Sequence, residues 1–207
     1  MSYFVLRPAL QRDAQNLLEV YRPFVESKDY TVSDASFEYK APDIYEWRRR
    51  MENIRYTYPY ILAERDDYKV CGYAYAHTYN ERAAYRGNAE LTIYLSPEGQ
   101  GHGLGRAMYT ALEKILACMG VVNAYACITA SNERSVRLHK ALGYEICGSF
   151  PHSGFKNGRW LDMIWMSKQI APYPKKLAPL KIVHALPKGC VDEILREANV
   201  SLKNRSN

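Results

Sequence analysis

The residues best suited to chemistry lie between positions 90 and 139. The run Tyr94-Leu95-Ser96-Pro97-Glu98-Gly99-Gln100-Gly101-His102-Gly103-Leu104-Gly105-Arg106 ends a strand, turns through glycines and opens a helix. Glycines permit the unusual dihedrals of a tight turn. The first N–H groups of the helix face outward without partners. Helix N-termini and nests of amides bind anions, so this turn suits a phosphate or pyrophosphate. Gly101, Gly103 and Gly105 let such a ligand approach the backbone without side-chain obstruction. A Walker turn requires Gly-Lys-Ser/Thr, which is absent, and the dinucleotide fingerprint requires glycine where Arg106 stands.

About thirty residues further on stands Asn132-Glu133-Arg134-Ser135-Val136-Arg137-Leu138-His139-Lys140-Ala141-Leu142-Gly143-Tyr144. Asn132, Ser135 and His139 are spaced to share one helix face, where aligned polar groups could meet a ligand. A capping Asn and a surface His would give the same pattern without function. Upstream, Glu90 shares a strand face with Thr92 and Tyr94, because side chains alternate. A carboxylate there could serve as a base. Exposed, it would titrate near 4.3 and accept protons poorly; burial raises that value toward a useful range.

Several elements must position these groups. Residues 3–7 read as a first strand, and Leu17, Leu18, Tyr21 and Phe24/Val25 recur at helical spacing from Asp13 onward. Thr31 to Ala41 reads as irregular; Pro42 then opens a second helix through about Tyr58, with Asp43 in its first turn. Residues 60–65 and 69–79 form a hairpin around Asp66-Asp67. A strand at 89–95 stops at Pro97, and a helix from about Gly103 to Met119 buries Leu104, Met108, Ala111, Ile115 and Met119. A strand at 123–129, a helix from Asn132 to Leu142 ended by Gly143, and strands near 145–151 and 159–168 complete the order. Strands that first meander and then alternate with helices predict a three-layer α/β/α domain around a mixed sheet.

Composition narrows the class. The 207 residues carry 47% hydrophobic and 24% charged side chains, as in a soluble globular protein. No run of 18 apolar residues predicts a membrane span, and the start Met1-Ser2-Tyr3-Phe4-Val5-Leu6-Arg7-Pro8 lacks the order of a signal peptide, so cytoplasmic residence is expected. Five scattered cysteines predict reduced thiols, and five histidines without ligand spacing predict no metal. Of the net charge of +6, residues 171–207 contribute +4. That basic tail, broken by Pro172, Pro174, Pro179 and Pro187 with a short helix near 190–198, reads as a solvated extension; no recognition-helix pattern suggests nucleic acid.

The turn reads Gln-x-x-Gly-x-Gly at Gln100 to Gly105, which resembles the coenzyme A pyrophosphate loop of the GCN5-related N-acetyltransferase superfamily. The Asn132–Tyr144 helix is similar to that superfamily's Asn-x-x-Ser-x-x-x-(Tyr/His)-x-x-x-Gly-(Phe/Tyr) element. Within it the chain looks most like the phosphinothricin acetyltransferase group. The likeness rests on Ala35-Ser36-Phe37-Glu38, Arg82-Ala83-Ala84-Tyr85 with Ala89-Glu90, Tyr94-Leu95-Ser96-Pro97, and Gly154-Phe155-Lys156-Asn157-Gly158-Arg159-Trp160-Leu161-Asp162. It spans residues 3–170. Asn80 departs from it, standing where members that detoxify phosphinothricin carry Lys, and the tail from 171 lies outside the pattern.

The resemblance implies the acyl-CoA N-acyltransferase fold: a mixed, mostly antiparallel sheet of six to seven strands with about four flanking helices. It implies one N-acetyltransferase domain over residues 1–170, followed by a basic, Pro-containing extension over 171–207. It further implies transfer of acetyl from acetyl-CoA to the primary amine of an amino acid or an amino-acid-like toxin of the phosphinothricin or methionine sulfoximine type. Glu90 would be the base, roughly 10 Å along the strand from Ile93, which leaves room for a bridging water. His139 would serve the departing thiolate, being able to exchange a proton near neutral pH. Ile93, Tyr94 and Leu95 would pair with the pantetheine amides through their backbone. Gln100, Gly101, His102, Gly103, Leu104, Gly105 and Arg106 would hold the pyrophosphate, with Asn132 and Ser135 beside the arm. Phe37, Glu38, Arg82 and Tyr85 would line the acceptor pocket, Arg82 taking a carboxylate. Relatives of this kind form homodimers. The competing readings are a coenzyme A-binding sensor without catalysis, which the retention of Glu90 disfavours, and acetylation of a protein N-terminus or of a polyamine, the latter needing an acidic pocket for which Arg82 is ill suited.

Overall fold

The computed structural model describes residues 3–206, with side chains described through residue 204; Met1, Ser2 and Asn207 lie outside the described residues. Strand β1 (Phe4–Pro8) buries Phe4 and Leu6 by simple alternation. Helix α1 (Ala14–Glu26) buries Leu17, Leu18, Tyr21 and Val25 on one face, as the spacing predicts. The stretch expected to be irregular contains a one-turn helix, α2 (Tyr30–Ser33), whose first turn is capped by the Asp29 carboxylate accepting from Thr31 N–H at 2.9 Å. Helix α3 (Ile44–Thr57) starts two residues later than Pro42 suggests. Asp43 is its N-cap rather than part of its first turn, accepting from Tyr45 and Glu46 N–H at 2.9 and 2.8 Å.

Strands β2 (Tyr60–Arg65), β3 (Val70–Thr78) and β4 (Asn88–Leu95) pair antiparallel in sequence order. Helix α4 (Leu104–Met119) leads to β5 (Asn123–Thr129), helix α5 (Glu133–Ala141), and strands β6 (Glu145–Lys156) and β7 (Arg159–Gln169). The described strands form one seven-stranded sheet in the order β1-β2-β3-β4-β5-β7-β6. Strand β6 runs five residues beyond the expected 151. Most of it is solvent-exposed on this outer edge, so apolar alternation does not mark its end.

Apolar residues cover both faces of the sheet. On one, Leu17, Leu18, Tyr21, Trp47 and Met51 of α1 and α3 pack on Tyr60, Leu62 and Tyr73. On the other, Leu104, Met108, Leu112 and Ile115 of α4 pack on Ile61, Ala63, Ala74, Ala89 and Leu91. Beyond the four expected flanking helices and α2, a sixth, α6 (Cys190–Ser206), is longer than the predicted 190–198. It belongs to this second layer, with Leu195 and Leu202 buried in the same cluster as α4. Asn199 of α6 also meets β1: its Oδ1 accepts from Leu6 N–H at 2.7 Å, and its Nδ2 donates to the Leu6 carbonyl at 2.9 Å.

Candidate active site

Strand β4 pairs with β5 in parallel, and only over Asn88↔Asn123, Ala89↔Ala124 and Glu90↔Tyr125. Beyond Glu90 the two strands part, although β4 continues to Leu95 and β5 to Thr129. Backbone polar groups along the opening need partners other than a neighbouring strand. One comes from a side chain, Gln100 Nε2, which donates to the Leu95 carbonyl at 3.0 Å; Tyr109 Oη lies 3.3 Å from that of Leu91.

The glycine turn closes one end of this opening. Gly101 and Gly103 hold φ of +84° and +75°, the left-handed region that side chains resist, and Gly103 caps α4. No acidic residue stands in the first turn of α4, so the positive end of its dipole is left for an anion. Gly105 brings α4 against α5; a Cβ there would lie 3.0 Å from Leu138 Cδ2. Gln100 is held from its other end by Arg134, whose guanidinium donates to Gln100 Oε1.

A cavity of about 530 Å³ fills the opening. It brings together Glu90, Ile93, Tyr94, Leu95, Gln100, Gly101, Gly103, Leu104, Gly105, Arg106, Asn132, Ser135, His139 and Phe37. Strand parting, positive helix end and buried carboxylate therefore meet at one place. His102 does not line the cavity. Its ring packs on Phe4 with centroids 4.9 Å apart, so of the expected anion-binding residues this one turns its side chain elsewhere.

Glu90 is mostly buried, and desolvation raises its carboxyl above the ordinary value; the nearby His77 partly offsets that rise. His77 stands directly opposite on β3, its Nε2 3.8 Å from Glu90 Oε1. Spacing along one strand could not reveal this pairing, because the β3–β4 register decides it.

Asn132 is spent on the helix itself, its Oδ1 accepting from Ser135 N–H at 3.1 Å as the N-cap of α5. His139 is buried, and both ring nitrogens are engaged. Nδ1 lies 2.8 Å from the Ser135 carbonyl, which can only accept, so Nδ1 carries the proton. Nε2 then accepts from Tyr109 Oη at 2.9 Å. Burial lowers the His139 pKa, so the ring is neutral at neutral pH. Tyr109, which sequence spacing did not single out, lines the cavity.

On the acceptor side Phe37 is held by the β6–β7 hairpin. A Cβ on Gly154 would lie 1.8 Å from its ring, and Lys156 Nζ donates to the carbonyls of Ser33 and Ser36 at 2.6 Å each. Glu38 faces a different, second cavity, where it pairs with Arg50. Arg82 and Tyr85 do not join the main cavity. Both are exposed beside a 3-10 turn at Ala83–Tyr85; Arg82 donates its N–H to Asn80 Oδ1 at 3.0 Å, and Tyr85 packs on Tyr79 at 5.9 Å.

The chain is similar to known proteins in sequence and in fold. The sequence pattern of the acetyltransferase (GNAT) domain matches residues 6–165. The phosphinothricin N-acetyltransferase of Streptomyces viridochromogenes is 33% identical over 172 residues, covering 83% of this chain and 91% of that protein. A methionine sulfoximine/methionine sulfone acetyltransferase of Pseudomonas aeruginosa is 34% identical over 118 residues, covering 57% of this chain and 69% of that protein. The crystal structure of a GNAT superfamily phosphinothricin acetyltransferase from Sinorhizobium meliloti, in complex with acetyl-CoA, superposes with a TM-score of 0.75 at 32% identity, covering 87% of this chain and 98% of that one. With the split sheet, the glycine turn and these relatives in agreement, the chain belongs to the GNAT acetyltransferase family.

Proposed function

We propose that this protein transfers acetyl from acetyl-CoA to the primary amine of a small, amino-acid-like acceptor, with Glu90 as its base. The observation that carries this is the parting of β4 from β5 immediately after Glu90, beside the free N-terminus of α4. In this reading the first amides of α4 and the turn from Gln100 to Arg106 hold the pyrophosphate of acetyl-CoA. Backbone groups of Ile93, Tyr94 and Leu95 take the place of a strand partner for its amide-bearing arm.

The acceptor amine must lose a proton to attack the thioester carbonyl, and Glu90, with its affinity for protons raised by burial, receives it through water. Backbone N–H groups on the opened edge stabilise the carbonyl oxygen as it gains charge. Collapse of the intermediate expels the coenzyme A thiolate. Its proton comes from Tyr109 Oη, which turns its hydrogen from His139 Nε2 to the sulfur and is re-protonated, through water, by the proton that Glu90 took from the amine. The names of the relatives support an amino-acid-like acceptor.

The same reading makes the enzyme cytoplasmic and homodimeric, with residues 171–207 an addition to the catalytic domain of residues 1–170. Among the described residues no helix is long and apolar enough to cross a membrane. Ile146, Phe150, Phe155 and Trp160 are exposed along β6 and β7, a surface suited to a second copy; light scattering measures the mass in solution.

The deciding experiment incubates purified protein and acetyl-CoA with amino acids, methionine sulfoximine and phosphinothricin, following free thiol. Acceptor-dependent thiol release that falls at least about a hundredfold in Glu90→Gln is expected. A Glu90→Gln variant as fast as the parent removes Glu90 from this role.

A further inference from the structure

The second cavity, of about 350 Å³, lies on the face of the sheet covered by α1 and α3. Six rings form its wall: Tyr21, Trp47, Tyr60, Tyr73, Tyr75 and Tyr94. They are already arranged as a stacked array. Tyr60 and Tyr75 stack at 4.8 Å and 19°, Tyr21 and Trp47 at 5.0 Å and 23°, and Tyr73 meets Tyr94 at 5.5 Å. This cage adjoins the candidate base. His77 lines it and stands 3.8 Å from Glu90, while Tyr94 lines both cavities.

One guanidinium at the rim of the cage is shared by two carboxylates. Arg50 at its rim pairs with Glu38 and also with Glu46, at 2.8 Å through Nε, so no guanidinium is left for an anionic arm. Burial pushes the hydroxyls of Tyr60, Tyr73 and Tyr94 well above their ordinary pKa and that of Tyr75 up to about 12, so the rings stay neutral. A phosphinate or carboxylate arm would lose its hydration beside the Glu38 carboxylate and find no free cation, only the neutral unpartnered donors Tyr73 Oη and Trp47 Nε1. A cationic arm would find π-faces but lose its hydration beside Glu38, the one carboxylate lining the cage, which Arg50 already engages. A flat aromatic arm meets neither cost and gains offset stacking.

We infer that the acceptor is a primary amine carrying an aromatic ring, an arylalkylamine or aromatic amino acid, whose ring enters the cage lined by Tyr60 and Tyr75. The inference rests on the acetyltransferase reading above and adds the side arm of its substrate. Length agrees: Tyr75 sits opposite Thr92, two residues along β4 from Glu90, roughly 7 Å away, which is the reach of a two- or three-carbon linker.

The test measures acetyl-CoA-dependent thiol release with phenethylamine, tyramine and phenylalanine against ethylamine, glycine, 1,5-diaminopentane and phosphinothricin. Aromatic amines are expected to show kcat/KM at least about tenfold above their short counterparts. In Tyr75→Ser that ratio falls about tenfold, with saturation-transfer NMR reporting loss of contact to the phenethylamine ring protons. Ile54→Phe, which fills the cavity rather than opening it, produces the same fall even if Tyr75→Ser proves unstable. Preference for glycine, the diamine or phosphinothricin, or an aromatic-to-short ratio unmoved by both variants, overturns the inference and leaves the acetyltransferase standing. No thiol release with any amine, although acetyl-CoA binds, overturns the acetyltransferase reading itself.

Discussion

His139 Nε2 lies 2.9 Å from Tyr109 Oη, while the other ring nitrogen is tied to the Ser135 carbonyl at 2.8 Å. A helix backbone thus fixes the tautomer of a buried imidazole, and the imidazole fixes the direction of a phenol on the cavity wall. Removing the phenol's oxygen keeps the packing and removes the donor. Tyr109→Phe should lower kcat by about a hundredfold, the lower end for a lost acid, while the Kd of acetyl-CoA measured by calorimetry stays within about threefold. An unchanged kcat would restrict the pair to structure.

Burial lowers the pKa of His139, so the unfolded chain takes up its proton at higher pH than the native state does. Stability should therefore decline as pH falls through about 6.5 and level off below the folded value. Urea midpoints at pH 7.5, 6 and 5 should show this decline in the parent and a flatter profile in His139→Gln. Equal slopes would mean that the ring charges freely in the folded protein.

In its proposed role as base Glu90 acts only when ionised, and its carboxyl is raised by burial and partly restored by His77. The acid limb of kcat/KM against pH should therefore have its midpoint above the ordinary carboxylate value. His77→Gln removes the restoring charge and should move that limb further up. A limb that stays in place would show that another group sets it.

Tyr73 Oη and Trp47 Nε1 are buried without hydrogen-bond partners. An unsatisfied buried hydroxyl costs about 1–3 kcal/mol. Tyr73→Phe removes it with little change in volume and should stabilise the protein by about 1 kcal/mol, raising Tm by about 2–4 °C in scanning calorimetry. A fall in Tm would reveal a partner for that hydroxyl.

Leu195 is 3% exposed on a helix outside the matched family pattern. Leu195→Ala should cost about 2–5 kcal/mol in urea unfolding. A cost below about 0.5 kcal/mol would make α6 an ornament on a self-sufficient domain.

Much of the site was legible because its pieces are local. The turn from Gln100 to Arg106, the α5 start at Asn132 and the core face of α4 each follow from spacing within one segment. What escaped was set by register and packing between segments. His77 faces Glu90 only through the β3–β4 pairing, Tyr109 meets His139 only where α4 crosses α5, and the aromatic cage assembles from five elements. The same limit explains the misplaced residues. His102 belongs to the turn in sequence, but its ring follows Phe4, and Arg82 and Tyr85 precede β4 closely without entering its cavity. The C-terminal prolines hid a helix that returns to the core.

Asn199 offers Leu6 both an acceptor and a donor, as a residue of a neighbouring strand would. The outer margin of β1 is thereby occupied by an amide that cannot propagate the ladder. Helix α6 thus covers the sheet on that side. Without it, β1 would offer open backbone to other molecules of the same protein.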